Sequence, residues 1–223
     1  MYMKLIDIKD EINDSVESDY AVFSQKLANS GLKIIGVRLP KLHALSKKYK
    51  TADTNGFVID GIYEYAFVYF AVRFQNLKNL DEIFDILAEN EQYWLGWNLV
   101  DTVCKYIKLP KDFKDAKKVI TTLAKSENEY IARLSYLLCF YYAKDDAALE
   151  DILALIKEDD RYYVMMAEAW LLSTLYIHHQ NEIFMFIKEA KLGKILTNKS
   201  ISKITDSFRV SAEEKAKIRA LRK

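Results

Sequence analysis

The chain has 223 residues, 33 of them basic and 32 acidic, so its net charge of +1 excludes a uniformly basic nucleic-acid surface. Apolar residues make up 51% and charged residues 29%, a balance that buries a large core and excludes global disorder. Two prolines, six glycines and no low-complexity tract leave no visible linker, so a single domain over 1–223 is expected.

In chain order, the first ten residues carry Lys4, Asp7, Lys9 and Asp10 and lack the apolar centre of a secretory signal. The spacing of Leu5, Ile8, Ile12 and Val16 opens a helical pattern that persists to Ile183, Phe186, Ile187 and Ala190, with no strand-like alternation. Pro40 and Pro110 stand where helices can begin. Breaks fall at Asn29-Ser30-Gly31, Asn55-Gly56, Asn90, Ser126, Lys144-Asp145-Asp146 and Asp159-Asp160, which gives about eleven helices, most about 10 to 18 residues long. The uncharged stretch 169–181 contains Ser, Thr and two His and is too polar to span a membrane, so a cytoplasmic protein with no membrane partner is expected. Cys104 and Cys139 lie in apolar runs and read as core thiols.

The charge is segregated. Seven lysines face two aspartates over 105–125, and eleven basic residues face four acidic ones over 188–223, while the first thirty residues and 144–160 are acidic. Such blocks fit either a basic face or ordinary solvated helix surfaces.

Trp97, Arg133 and Trp170 are separated by 36 and 37 residues, close to one helix pair of the HEAT or armadillo kind. In a solenoid, residues one repeat apart face the same way, so the three would line one concave surface. Among 15 Tyr, 11 Phe and 3 Trp, chance also produces such intervals.

A helix is expected from about Trp94 to Lys108, with Leu95, Leu99, Val103, Tyr106 and Ile107 packed inward. Trp94, Trp97, Asp101, Lys105 and Lys108 share its other face, where aromatics and a carboxylate suit a cation and lysines suit phosphate. The alternative is that both tryptophans anchor the core and Asp101 pairs with Lys105. Arg133 is the one charged residue between Tyr130 and Tyr142 and must reach a carboxylate, a carbonyl or a bound anion, with Glu129 one turn earlier as a structural partner. Trp170 sits in a helix so apolar all round that the residues alone place it in the core. His43, His178 and His179 have no partners at metal-ligand spacing, and Gly-rich phosphate loops and serine-hydrolase motifs do not occur, so no metal or cofactor is expected.

The stretches Gly36-Val37-Arg38-Leu39-Pro40, Trp97-Asn98-Leu99-Val100-Asp101, Ile131-Ala132-Arg133 and Asp160-Arg161-Tyr162-Tyr163-Val164, running on to Ala169-Trp170-Leu171-Leu172, together resemble the AlkD-like alkylpurine DNA glycosylases. The resemblance runs in order from about residue 20 to the C-terminus. It implies an all-α fold, a HEAT-like solenoid of antiparallel helix pairs whose concave face holds duplex DNA. It also implies hydrolysis of the glycosidic bond of N3- and N7-alkylated purines without a closed base pocket. By resemblance Asp101 stabilises the oxocarbenium-like sugar, Trp97 and Trp170 contact the damaged nucleotide, and Arg133 grips a nearby phosphate.

Departures from the family pattern fall on DNA-facing positions. Leu27 stands near the place of an aromatic on the N-terminal helix, Met165, Met166 and Ser173 where basic residues surround the tryptophan, and His43 where arginine is common. The expected activity is a monomeric, monofunctional, metal-independent DNA glycosylase, with Asp101, Trp97 and Trp170 catalytic and Arg133, Trp94 and Lys105 binding substrate. The alternative keeps the fold as a non-catalytic module that binds distorted or branched DNA, or a protein partner, through the same surface.

Overall fold

The computed structural model describes residues 4–28, 30–190 and 192–223; Asn29, part of the first expected break, and Lys191, in the last basic block, lie outside them. Among the described residues every regular element is helical, with thirteen α-helices, four short 3-10 turns and two isolated parallel bridges, Lys4 with Asp53 and Lys33 with Ile62. The chain is all-α, as expected. The helices are thirteen rather than about eleven, because boundaries such as 14–17 and 207–211 contain neither glycine nor proline. No helix among the described residues is long and apolar enough to cross a membrane.

The chain divides into two compact units, Met1–Leu109 and Pro110–Lys223. The first contains α1 (Ile8–Asn13), α2 (Ser18–Ala28), α3 (Leu39–Lys48), α4 (Tyr63–Gln75), α5 (Glu82–Glu89) and α6 (Trp97–Val103). The second contains α7 (Phe113–Leu123), α8 (Glu129–Cys139), α9 (Asp146–Leu153), α10 (Tyr162–Tyr176), α11 (Gln180–Glu189), α12 (Lys194–Asp206) and α13 (Ala212–Arg219).

In the first unit α4 is central, packed against α1, α3 and α6, and eleven of its thirteen residues are buried. Its sequence explains this: Tyr65, Phe67, Val68, Phe70, Val72 and Phe74 leave no polar face, and a helix apolar all round is stable only inside a core. In the second unit α10 takes that place between α8 and α12. Four helices of this unit start with side-chain caps: Asp112, Asn128, Asp145 and Ser211 each accept a backbone N–H at the start of α7, α8, α9 and α13.

Each central helix buries one carboxylate that closes a loop. Glu64 of α4 accepts the backbone N–H groups of Ile35 (3.0 Å), Gly36 (2.8 Å) and Val37 (3.1 Å). Glu168 of α10 accepts those of Lys157 (3.0 Å) and Asp159 (3.2 Å) and the Tyr136 hydroxyl (3.1 Å). The loop that Glu64 holds also needs Gly36, whose φ of +101° lies in the left-handed region and whose missing side chain leaves room for Ala21 N, 2.8 Å from where a Cβ would stand. The Gly36 carbonyl in turn accepts the N–H of Glu17, joining the loop to the start of α2.

Glu64→Gln replaces one acceptor oxygen with an amide NH2 that faces a backbone N–H. It should lower unfolding free energy by about 2–3 kcal/mol, measured by urea titration; a midpoint equal to the parent's would contradict the clamp.

Candidate functional site

The candidate residues fall in both units, and each unit presents its own set. In the first, the chain Trp94-Leu95-Gly96 is not helical; α6 begins at Trp97, with Gly96 as its N-cap, and ends at Val103 before a 3-10 turn over Cys104–Tyr106. The expected helix from Trp94 to Lys108 is therefore a seven-residue helix with irregular ends. Gly96 marks its start because a Cβ there would meet Asn98 Oδ1 at 2.6 Å and Ser30 Oγ at 2.9 Å.

This boundary decides the fate of two residues. Trp94, expected to bind substrate on the same face as Trp97, is a core side chain at 1% exposure, its ring 4.3 Å from Phe70 and 6.0 Å from Phe74. Leu95, expected to pack inward, is 40% exposed. Helical periodicity cannot place residues that precede the helix.

Trp97 and Asp101 are one turn apart on α6 and both partly exposed, while Leu99, Val100 and Val103 are buried behind them. Trp97 lines an apolar cleft of about 160 Å³ with Tyr20, Phe23 and Leu27 of α2, Val37 and Leu39 before and within α3, and Tyr63 and Thr102. Burial pushes the Tyr63 phenol well above its usual range, with Glu64, Tyr20 and Asp101 adding to the effect, so its hydroxyl keeps its proton at neutral pH. A larger groove of about 560 Å³, beside Arg73 and Asn76, is lined by none of the residues singled out in the sequence.

Phe23 was not singled out, although it is 62% exposed and supplies an aromatic to the cleft one turn before Leu27. The spacing of Tyr20, Phe23 and Leu27 at three and four residues was the available signal.

Lys105 follows in the 3-10 turn and its Nζ donates to His43 Nε2 at 2.9 Å. Cys104 is partly buried, its Sγ 3.4 Å from the Asp101 carbonyl, whereas Cys139 is fully buried and its thiol is pushed up by desolvation.

In the second unit Arg133 is 5% exposed, and its guanidinium donates to the Tyr163 carbonyl at 2.8 Å. Glu129 accepts the Tyr163 N–H at 3.4 Å, so both side chains of α8 hold the first turn of α10. Trp170, placed in the core by its apolar neighbours, is 40% exposed, its ring edge-on to Phe140 at 4.8 Å. The core expectation is corrected here. The helix is apolar all round, yet α8 and α12 do not cover the side that carries Trp170.

The profile of a family described as DNA alkylation repair enzyme matches residues 8–204. The chain belongs to that family. No curated protein matches the chain. Membership assigns it to enzymes of DNA repair, and the family match takes in both units and every candidate residue named above. Among the described residues no group of three or more His, Cys, Asp or Glu side chains could hold a metal ion.

Trp94→Ala should lower unfolding free energy by about 3–5 kcal/mol, whereas Trp97→Ala should cost clearly less. Urea titration of the two variants checks the division of labour between the paired tryptophans; equal losses would contradict it.

Proposed function

We propose that the chain is a monofunctional DNA glycosylase that hydrolyses the N-glycosidic bond of cationic N3- or N7-alkylated purines in duplex DNA, with 1–223 acting as one HEAT-like repeat domain. The reading is carried by one observation: in a chain of the DNA alkylation repair family, Trp97 and Asp101 stand one turn apart at the surface of α6 beside an aromatic cleft.

The chemistry asks little of the protein. An alkylated purine carries a positive charge, so when the bond from C1′ to the purine nitrogen breaks, the electron pair leaves with the base and neutralises it. Positive charge passes to the sugar as an oxocarbenium ion. The Asp101 carboxylate would stabilise that charge and orient a water, whose oxygen bonds to C1′ and whose proton is released. Trp97 and Trp170 would offer ring faces to the cationic nucleotide, with Phe23 extending the aromatic wall beside Trp97. Lys105 would meet a backbone phosphate, and the Arg133 guanidinium, which also donates to the Tyr163 carbonyl, would meet another. No metal or cofactor enters these steps.

Base release from a duplex containing 7-methylguanine, followed by chromatography in a chelating buffer, tests the reading. The parent should release the base, and Asp101→Asn should be slower by about 100-fold or more. Release by Asp101→Asn at the parental rate would remove Asp101 from the chemistry. No release by a folded parent would leave a non-catalytic DNA-binding or protein-binding module.

A further inference from the structure

A chain of hydrogen bonds links Tyr106, His43 and Lys105. Lys105 Nζ meets His43 Nε2 at 2.9 Å, and an ammonium group has no lone pair, so Nε2 is the acceptor. Nδ1 of the neutral imidazole therefore carries the proton, which it donates to the Tyr106 hydroxyl at 2.7 Å.

The whole chain thus admits one arrangement of protons, with a neutral His43. Two further features favour it. The imidazole packs edge-on to Phe67 at 5.0 Å, and Tyr106 packs on the same ring at 6.2 Å, which fixes both planes. Burial, and then the charge of Lys105, lower the affinity of His43 for a second proton.

The consequence concerns Lys105. An exposed lysine ordinarily samples many rotamers, and ordering it costs affinity. A carboxylate partner would order the side chain but cancel its charge toward an incoming anion. The His43 contact orders it through a neutral acceptor, occupying one of three ammonium hydrogens and none of the charge.

We propose that His43 is a positioning residue for phosphate binding: itself held by Tyr106, it keeps the Lys105 ammonium ready for a phosphodiester of the DNA backbone. The inference rests on the reading above that duplex DNA is the ligand, but not on excision.

Binding of the full chain to an unmodified duplex, followed by fluorescence anisotropy over a range of salt, tests it. Lys105→Met should flatten the dependence of log affinity on log salt by about 0.9. His43→Phe and Tyr106→Phe should each weaken binding by about threefold, although the Tyr106 hydroxyl lies two bonds of the chain from the phosphate. His43→Gln, which can accept from Lys105 and donate to Tyr106, should remain near the parent. In a Lys105→Met background, neither His43→Phe nor Tyr106→Phe should weaken binding further.

Parental affinity for both His43→Phe and Tyr106→Phe would overturn the proposal. So would equal losses with and without Lys105, since these would mark an effect on the fold, or a parent that binds no duplex. A protein that shows the Lys105-dependent pattern and yet releases no alkylated base would sink the glycosylase reading and leave this inference standing.

Discussion

A buried carboxylate that accepts several backbone N–H groups is the constraint on which each unit depends. Removing a carboxylate from water is costly, and only charge-assisted hydrogen bonds of good geometry offset the loss. Glu64 and Glu168 are both fully buried, and each meets three donors. For Glu168 burial outweighs those bonds, and the carboxyl is held above its ordinary range. The arrangement gives specificity rather than surplus stability: the loop that supplies the donors has one acceptable conformation, and α4 and α10 have one acceptable register against it.

The functional geometry of the first unit follows from that register. Glu64 fixes residues 35–37, Gly36 admits the start of α2, and α3 leaves the loop at Leu39. Phe23 and Tyr20 are thereby set on the wall that Trp97 shares, and His43 is set one turn into α3, opposite Tyr106 and Lys105. In the second unit Arg133 and Glu129 brace the first turn of α10, which carries Trp170 two turns further on. The exposed aromatics and the ordered lysine thus stand on elements that buried polar contacts hold in place.

Much of this was legible in the residues. Continuous 3.6-residue periodicity identified an all-helical chain, and the order of short motifs identified the family. The errors have local causes. Trp94 and Trp97 look equivalent on a helical projection until Gly96 is recognised as the N-cap, after which one is core and the other surface. Trp170 reads as buried because its helix is apolar on every side, and only the packing of α8 and α12 shows which side stays open. His43, noted as a lost arginine, carries no sequence signal for its link to Lys105, sixty-two residues away. Contacts at that separation are set by the packing of α3 and α6 on α4, which no local pattern encodes.

The central claim is that Asp101 acts on positive charge at the sugar rather than on the base. The most direct measurement compares two duplexes with an abasic position, one bearing a neutral tetrahydrofuran ring and the other a pyrrolidine ring protonated where the oxocarbenium charge would develop. The account predicts tighter binding of the cationic ring by the parent, by about tenfold or more, and loss of that preference in Asp101→Asn. Equal affinity of the parent for the two rings, or a preference that survives the substitution, would contradict it.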